Sequence, residues 1–206
     1  MYYFRRFTKP STLFRITNAN DVSTVPADVL KQEFGTTFNK LSFWRSESIT
    51  DWNDAKRAIL LSTTAISKTC FFAFDDKLLE KYSISLDFTE LGMTAYKGAA
   101  ELHVNLKDLD YGKIGHLFEM IKQISSEEIK LPKLEADEVK EIIRQVALEK
   151  KIDYSMININ LFKDIKKYKL DPDFPMDFFE ETIKKNCEGC QWYSYQEGNN
   201  SKSLRS

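Results

Sequence analysis

The spacing of apolar residues changes sharply along the middle of the chain, and that change limits the folds open to it. Ile84, Leu86 and Phe88 alternate with Ser83, Ser85 and Asp87, while Leu102, Val104 and Leu106 alternate with Glu101, His103 and Asn105. A period of two is the pattern of a strand with one dry face, because successive side chains of an extended backbone point to opposite sides of a sheet. Beyond residue 110 the period lengthens. Ile114, Leu117, Phe118, Ile121 and Ile124 fall on one stripe of a helix, which predicts that Phe118 and Ile121 lie in the core. Strands and helices that each carry one apolar side must bury it against another layer, so the chain is expected to be α+β.

Further elements follow from the same reasoning. Residues 11–17 read as a strand with Phe14 and Ile16 on one face. Leu41, Phe43 and Arg45 alternate with Ser42 and Trp44, and Thr69 to Phe74 reads as a short buried strand. Helices are expected over 26–34, with Pro26 in its first turn and Gly35 as its stop, and after Thr50, with a core face of Trp52, Ala55, Ile59, Leu60 and Leu61. Asp75 and Asp110 are suited to cap two more. Near residue 126 the character changes: SSEEIKLPK is polar and carries Pro132, and only helical patterns follow, over 134–150, 157–168 and 175–186. The expected organisation is a mixed β-sheet body with packed helices over 1–125, a linker at 126–132, a helical subdomain over 133–190 and a mostly disordered tail over 191–206.

Composition narrows the class of function. With 206 residues, 42% apolar and 30% charged, the chain can bury an ordinary core without disulfides or metal. Thirty basic against 31 acidic residues leave a net charge of −1, which gives no global field toward nucleic acid or an anionic membrane. The longest apolar runs, Ala58 to Leu61 and Cys70 to Phe74, are far below the roughly 20 residues a spanning helix needs. Arg5, Arg6 and Lys9 interrupt the start of the chain where a secretion signal requires apolar residues, so a cytoplasmic location is expected. Three cysteines argue against a disulfide scaffold.

Four features carry candidate chemistry. On the strand expected over 99–106, Glu101, His103 and Asn105 share a polar face; a carboxylate beside an imidazole suits acid–base work, but a solvated outer face is the ordinary outcome in a one-sided sheet. The order of Arg15, then Ser62, Thr63 and Thr64, then Glu101 resembles the Arg…Ser-Thr-Ser…Glu order of ADP-ribosyltransferases. The resemblance implies that Arg15, Ser62 and Thr63 help hold NAD and that Glu101 activates the acceptor or stabilises the cation formed at the ribose. Ser62 to Thr64 nevertheless ends a helical pattern rather than opening a strand, and Ala99 stands where arginine-modifying members carry Glu or Gln.

Cys187-Glu-Gly-Cys190 offers half a zinc site or a redox pair, but it follows a helix and lacks two further ligands, so reduced structural thiols and no bound metal are expected. Arg5, Arg6 and Lys9, interleaved with aromatic residues, could grip phosphates and stack bases. No Gly-rich phosphate loop or nucleophile elbow is present, and no cofactor is expected. These signals favour an interaction protein that binds a protein partner through aromatic side chains, without catalysis of its own. An NAD-using enzyme built on Glu101, Arg15, Ser62 and Thr63 is the alternative, and nucleic-acid binding through Arg5, Arg6 and Lys9 is the third reading.

Overall fold

The computed structural model describes residues 1–7, 15–16, 18, 24–25, 27–126 and 133–185. Among these residues six strands, Tyr2–Phe7 (β1), Leu41–Ser46 (β2), Thr69–Asp75 (β3), Ser85–Asp87 (β4), His103–Lys107 (β5) and Lys133–Leu134 (β6), form a single sheet. Its order is β4-β5-β2-β1-β3-β6, and every pairing is antiparallel. Among the described residues the helices are Ala27–Phe34 (α1), Asn53–Leu61 (α2), Asp76–Lys81 (α3), Tyr111–Ser126 (α4), Ala136–Leu148 (α5), Ile159–Lys167 (α6) and one over 176–185 (α7). The class is α+β, as the period change predicts.

Alternation along the strands divides the core in two. Tyr3, Phe7, Phe43, Phe72 and Phe74 face one side, where α1, α3 and α4 supply Phe34, Leu79, Leu117, Phe118 and Ile121. Phe118 and Ile121 are fully buried. Phe4, Trp44 and Phe71 face the other side, against Trp52, Ala55 and Ile59 of α2, Val139 and Ile143 of α5, and Leu161 and Ile165 of α6. The helices after residue 135 therefore share a core with the sheet, and β6 pairs with β3 as its edge. Outside this layer α7 packs Phe179 on Phe162, ring centroids 5.0 Å apart, with Phe174 and Tyr154 closing the cluster. No described helix is long and apolar enough to cross a membrane. The expected linker at 126–132 and tail at 191–206 lie outside the described residues, except for Ser126, which ends α4.

Local chemistry explains where elements start. The Asp75 carboxylate accepts from the Leu78 N–H and caps α3, and Asp110 accepts from Lys113 at the head of α4. The helix expected to begin after Thr50 starts at Asn53 instead. Ser48 is the reason: its hydroxyl accepts from the N–H groups of Thr50 and Asp51, holding them in a turn outside the helix.

Two other expectations need correction. Arg15 and Ile16, read as strand, are helical. Ile16 is fully buried and packs with the α1–α3–α4 side of the sheet, so a one-residue apolar match to period two was satisfied by a helix. The strand expected over 99–106 begins only at His103, because Ala100–Leu102 forms a 3₁₀ turn.

A two-residue turn joins Thr37 and Lys40, whose backbones bond each other in both directions. Its central residues Phe38 and Asn39 have φ of 53° and 58°, a conformation that suits Asn or Gly and is costly for a bulky side chain. Phe38 is 92% exposed, so it recovers nothing by burial. Phe38→Asn is expected to raise the unfolding free energy by about 0.5–1 kcal/mol, measured by urea denaturation. A loss of stability would show that the aromatic ring has a contact of its own.

Candidate interaction surface

On the side of the sheet covered by α2, α5 and α6, the irregular segment 88–99 lies over strands β2 and β5. Its position starts with Asp87. The Asp87 carboxylate accepts from both the N–H and the hydroxyl of Thr89, which turns the chain out of β4 and over the sheet. Glu90 then fixes the crossing. One carboxylate oxygen lies 2.6 Å from Lys40 Nζ, the other accepts from Asn105 Nδ2 at 2.9 Å, and the Glu90 carbonyl lies 2.9 Å from His103 Nδ1. A carbonyl only accepts, so His103 carries its proton on Nδ1. Asn105 in turn accepts from the Ser42 hydroxyl at 3.1 Å.

Gly92 brings the backbone down onto the sheet. Its N–H donates to the Ala100 carbonyl at 2.9 Å, and a Cβ at this position would stand 2.4 Å from the Trp44 ring and 2.7 Å from His103 Cβ. Further on, the Thr94 hydroxyl donates to the Ala58 carbonyl, and the Tyr96 hydroxyl donates to Asp54 at 2.7 Å. Lys40 holds the Asp87 and Glu90 carboxylates below their ordinary range, Thr89 adding to the effect on Asp87, and its own ammonium is pushed up by the same two bonds.

This arrangement overturns the expected solvated face of β5. His103 and Asn105 are buried, Asn105 at 2% exposure, because Glu90 and Gly92 lie over them. Glu101 stands apart on the 3₁₀ turn, exposed, and does not share the face of the strand. Phe88, expected on the apolar face with Ile84 and Leu86, is 51% exposed, since the strand ends one residue before it. Leu91 and Met93 are 69% and 82% exposed. A segment whose backbone and polar groups are bonded to the sheet thus turns three large apolar side chains outward.

An open cleft of about 480 Å³ is linked to this segment through Arg45. Arg45, Leu102, Glu47, Asp51 and Asp54 are among its lining residues. The Arg45 guanidinium joins the two features: it lies 5.4 Å from the centre of the Phe88 ring and donates to the Glu101 carbonyl at 3.2 Å.

The other sequence candidates are distributed over the molecule. Arg15 is exposed beside Ile16, on the α1–α3–α4 side of the sheet. Ser62 and Thr63 close α2 on the opposite side, where the Ser62 hydroxyl donates to the Ile59 carbonyl and the buried Thr63 hydroxyl to the Leu60 and Ala65 carbonyls. Arg15 is therefore not brought together with Ser62 and Thr63, and both hydroxyls are taken up by the helix end.

Arg5 and Arg6 belong to β1, at the centre of the sheet. The Arg5 guanidinium donates to the carbonyls of Ser42 and Glu33 and is pulled down to about 10 by burial, with Glu33 opposing the shift. Burial also lowers Arg6. Lys9, Cys187 and Cys190 lie outside the described residues. Among the described residues no three His, Cys, Asp or Glu side chains converge as metal ligands.

The residues that compose the surface, Phe88, Glu90, Leu91, Gly92 and Met93, were not singled out in the sequence as a group. The signal available was a carboxylate, Glu90, two positions before Gly92. No family model, curated protein or solved structure matches the chain.

Proposed function

We propose that the chain is a binding protein that engages a protein partner through the 88–93 segment. The observation that supports this reading is the contrast within the segment: Glu90 and Gly92 are bonded and packed onto β2 and β5, while Phe88, Leu91 and Met93 face solvent. Binding normally costs free energy to order a loop and its side chains, and a loop already held in place avoids part of that cost. Covering a Leu or Met side chain fully is worth about 1.5–3 kcal/mol each, so the group could anchor a specific contact. Large apolar side chains exposed close together along one segment point to an interaction site, whereas single exposed apolar residues do not.

The test is site-specific photocrosslinking in the native host. A benzophenone side chain at position 91 is expected to give a discrete protein adduct, and one at Glu119, exposed on α4, is expected to give none. Leu91→Asp with Met93→Asp should remove the adduct formed from position 88 while changing stability by no more than about 0.5 kcal/mol, since both residues are at the surface. Equal labelling from positions 91 and 119, or none from either, would refute the reading.

A further inference from the structure

We infer that the partner segment is basic as well as apolar, with a Lys or Arg side chain entering the cleft beside the 88–93 segment; this inference rests on the reading just given. The apolar part of the surface and the cleft are continuous through Arg45, which lines the cleft and covers Phe88, and through the 3₁₀ turn, whose Ala100 carbonyl holds Gly92 and whose Leu102 lines the cleft. A partner seated on Phe88 therefore reaches the cleft across Arg45.

The charge there is unbalanced. Glu47, Asp51 and Asp54 line the cleft and Glu101 stands exposed on the turn beside it; none of the four makes an ion pair among the described residues. Their existing bonds are to neutral groups: Asp51 accepts from the Asn53 amide and Asp54 from the Tyr96 hydroxyl. The cations nearby offset this charge only in part. Arg45 is stacked on Phe88 and bonded to the Glu101 carbonyl, the Met1 amino group is paired with Asp76, and the Lys56 ammonium, which feels the charge of Asp51, lies over the Trp52 ring.

Complementary charge at the rim of an apolar contact steers encounter and excludes wrong partners, so the occupant that fits is an apolar protein segment flanked by cationic side chains. The same carboxylates oppose an anionic membrane surface, which would otherwise be a candidate for exposed Phe88, Leu91 and Met93.

The probe is the benzophenone side chain at position 91, in the full-length chain and in the same chain carrying Glu47→Lys and Asp51→Lys. The crosslinked segment is sequenced by mass spectrometry, and both proteins are first shown to melt at the same temperature. The expected result is a partner segment with Lys or Arg next to its apolar residues and an adduct yield about tenfold lower in the charge-reversed chain; raising the salt from about 0.05 to about 0.5 M should narrow that difference. If the melting temperature falls, Glu47→Gln with Asp51→Asn is used in its place, with the same direction expected.

A neutral or acidic partner segment, or yields unchanged by charge reversal, would overturn the inference and leave the binding reading standing. A lipid adduct, or none, would remove both. An adduct between two copies of this chain would overturn the basic-partner assignment alone.

Discussion

Phe72→Ala is expected to lower the unfolding free energy by about 3–5 kcal/mol, the cost of removing a large aromatic side chain from a packed core that cannot fully close around the space. Phe72 is 1% exposed and stands on β3, which pairs with the central strand β1. Its ring lies 4.7 Å from Phe7, 5.6 Å from Phe43 and 5.2 Å from Phe74, so one truncation strips contacts from three strands at once. These pairs are tilted or edge-on, arrangements in which the positive rim of one ring meets the negative face of another and which add to simple burial. Because Phe72 touches all three other rings of this group on the sheet, relaxation around the missing ring would require the sheet itself to move. A loss below about 1 kcal/mol in urea denaturation would show that this side of the sheet is loosely packed.

The aromatic core was legible from the strand periods and from the stripe of α4, because burial of that kind depends on local spacing alone. Phe118 and Ile121 lie where the stripe puts them, and the α2 face of Trp52, Ala55, Ile59, Leu60 and Leu61 is buried throughout. What escaped were residues whose environment is set by distant parts of the chain. His103 and Asn105 alternate with apolar neighbours as an outer face should, yet Glu90, 13 and 15 positions earlier, bonds to both and covers them. No period marks a segment such as 88–99, since its shape comes from an Asx turn at Asp87, a bifurcated Glu90 carboxylate and a close approach at Gly92.

The same limit applies to Arg5. Beside aromatic residues it reads as a phosphate ligand, but in the central strand its guanidinium is spent on two backbone carbonyls. A residue order such as Arg15, Ser62, Glu101 carries no information on which side of a sheet each residue falls, and here Ile16, next to Arg15, and Leu61, next to Ser62, pack on opposite sides.

Gly92→Ala is expected to cost about 1–3 kcal/mol and to abolish the crosslink from position 91, because the substitution attacks the contact that holds the 88–93 segment to the sheet. The added methyl would meet the Trp44 ring at 2.4 Å and His103 Cβ at 2.7 Å, both well inside van der Waals contact. Neither neighbour can yield cheaply. His103 Cβ is attached to the backbone of β5, and Trp44 is buried with its ring edge-on to His103 at 5.5 Å. The segment itself must therefore lift. Lifting strains the Gly92 N–H bond to Ala100 and the Glu90 bonds to Asn105 and His103, and it re-exposes Asn105, whose buried amide then depends on water for its partners.

Gly115→Ala is the control. It lies within α4 with nothing within 4 Å of the added Cβ, so the change should raise stability by about 0.5–1 kcal/mol and leave the crosslink intact. If Gly92→Ala retains the crosslink at wild-type yield, the rigid seating of the segment is not what presents Phe88, Leu91 and Met93 to the partner.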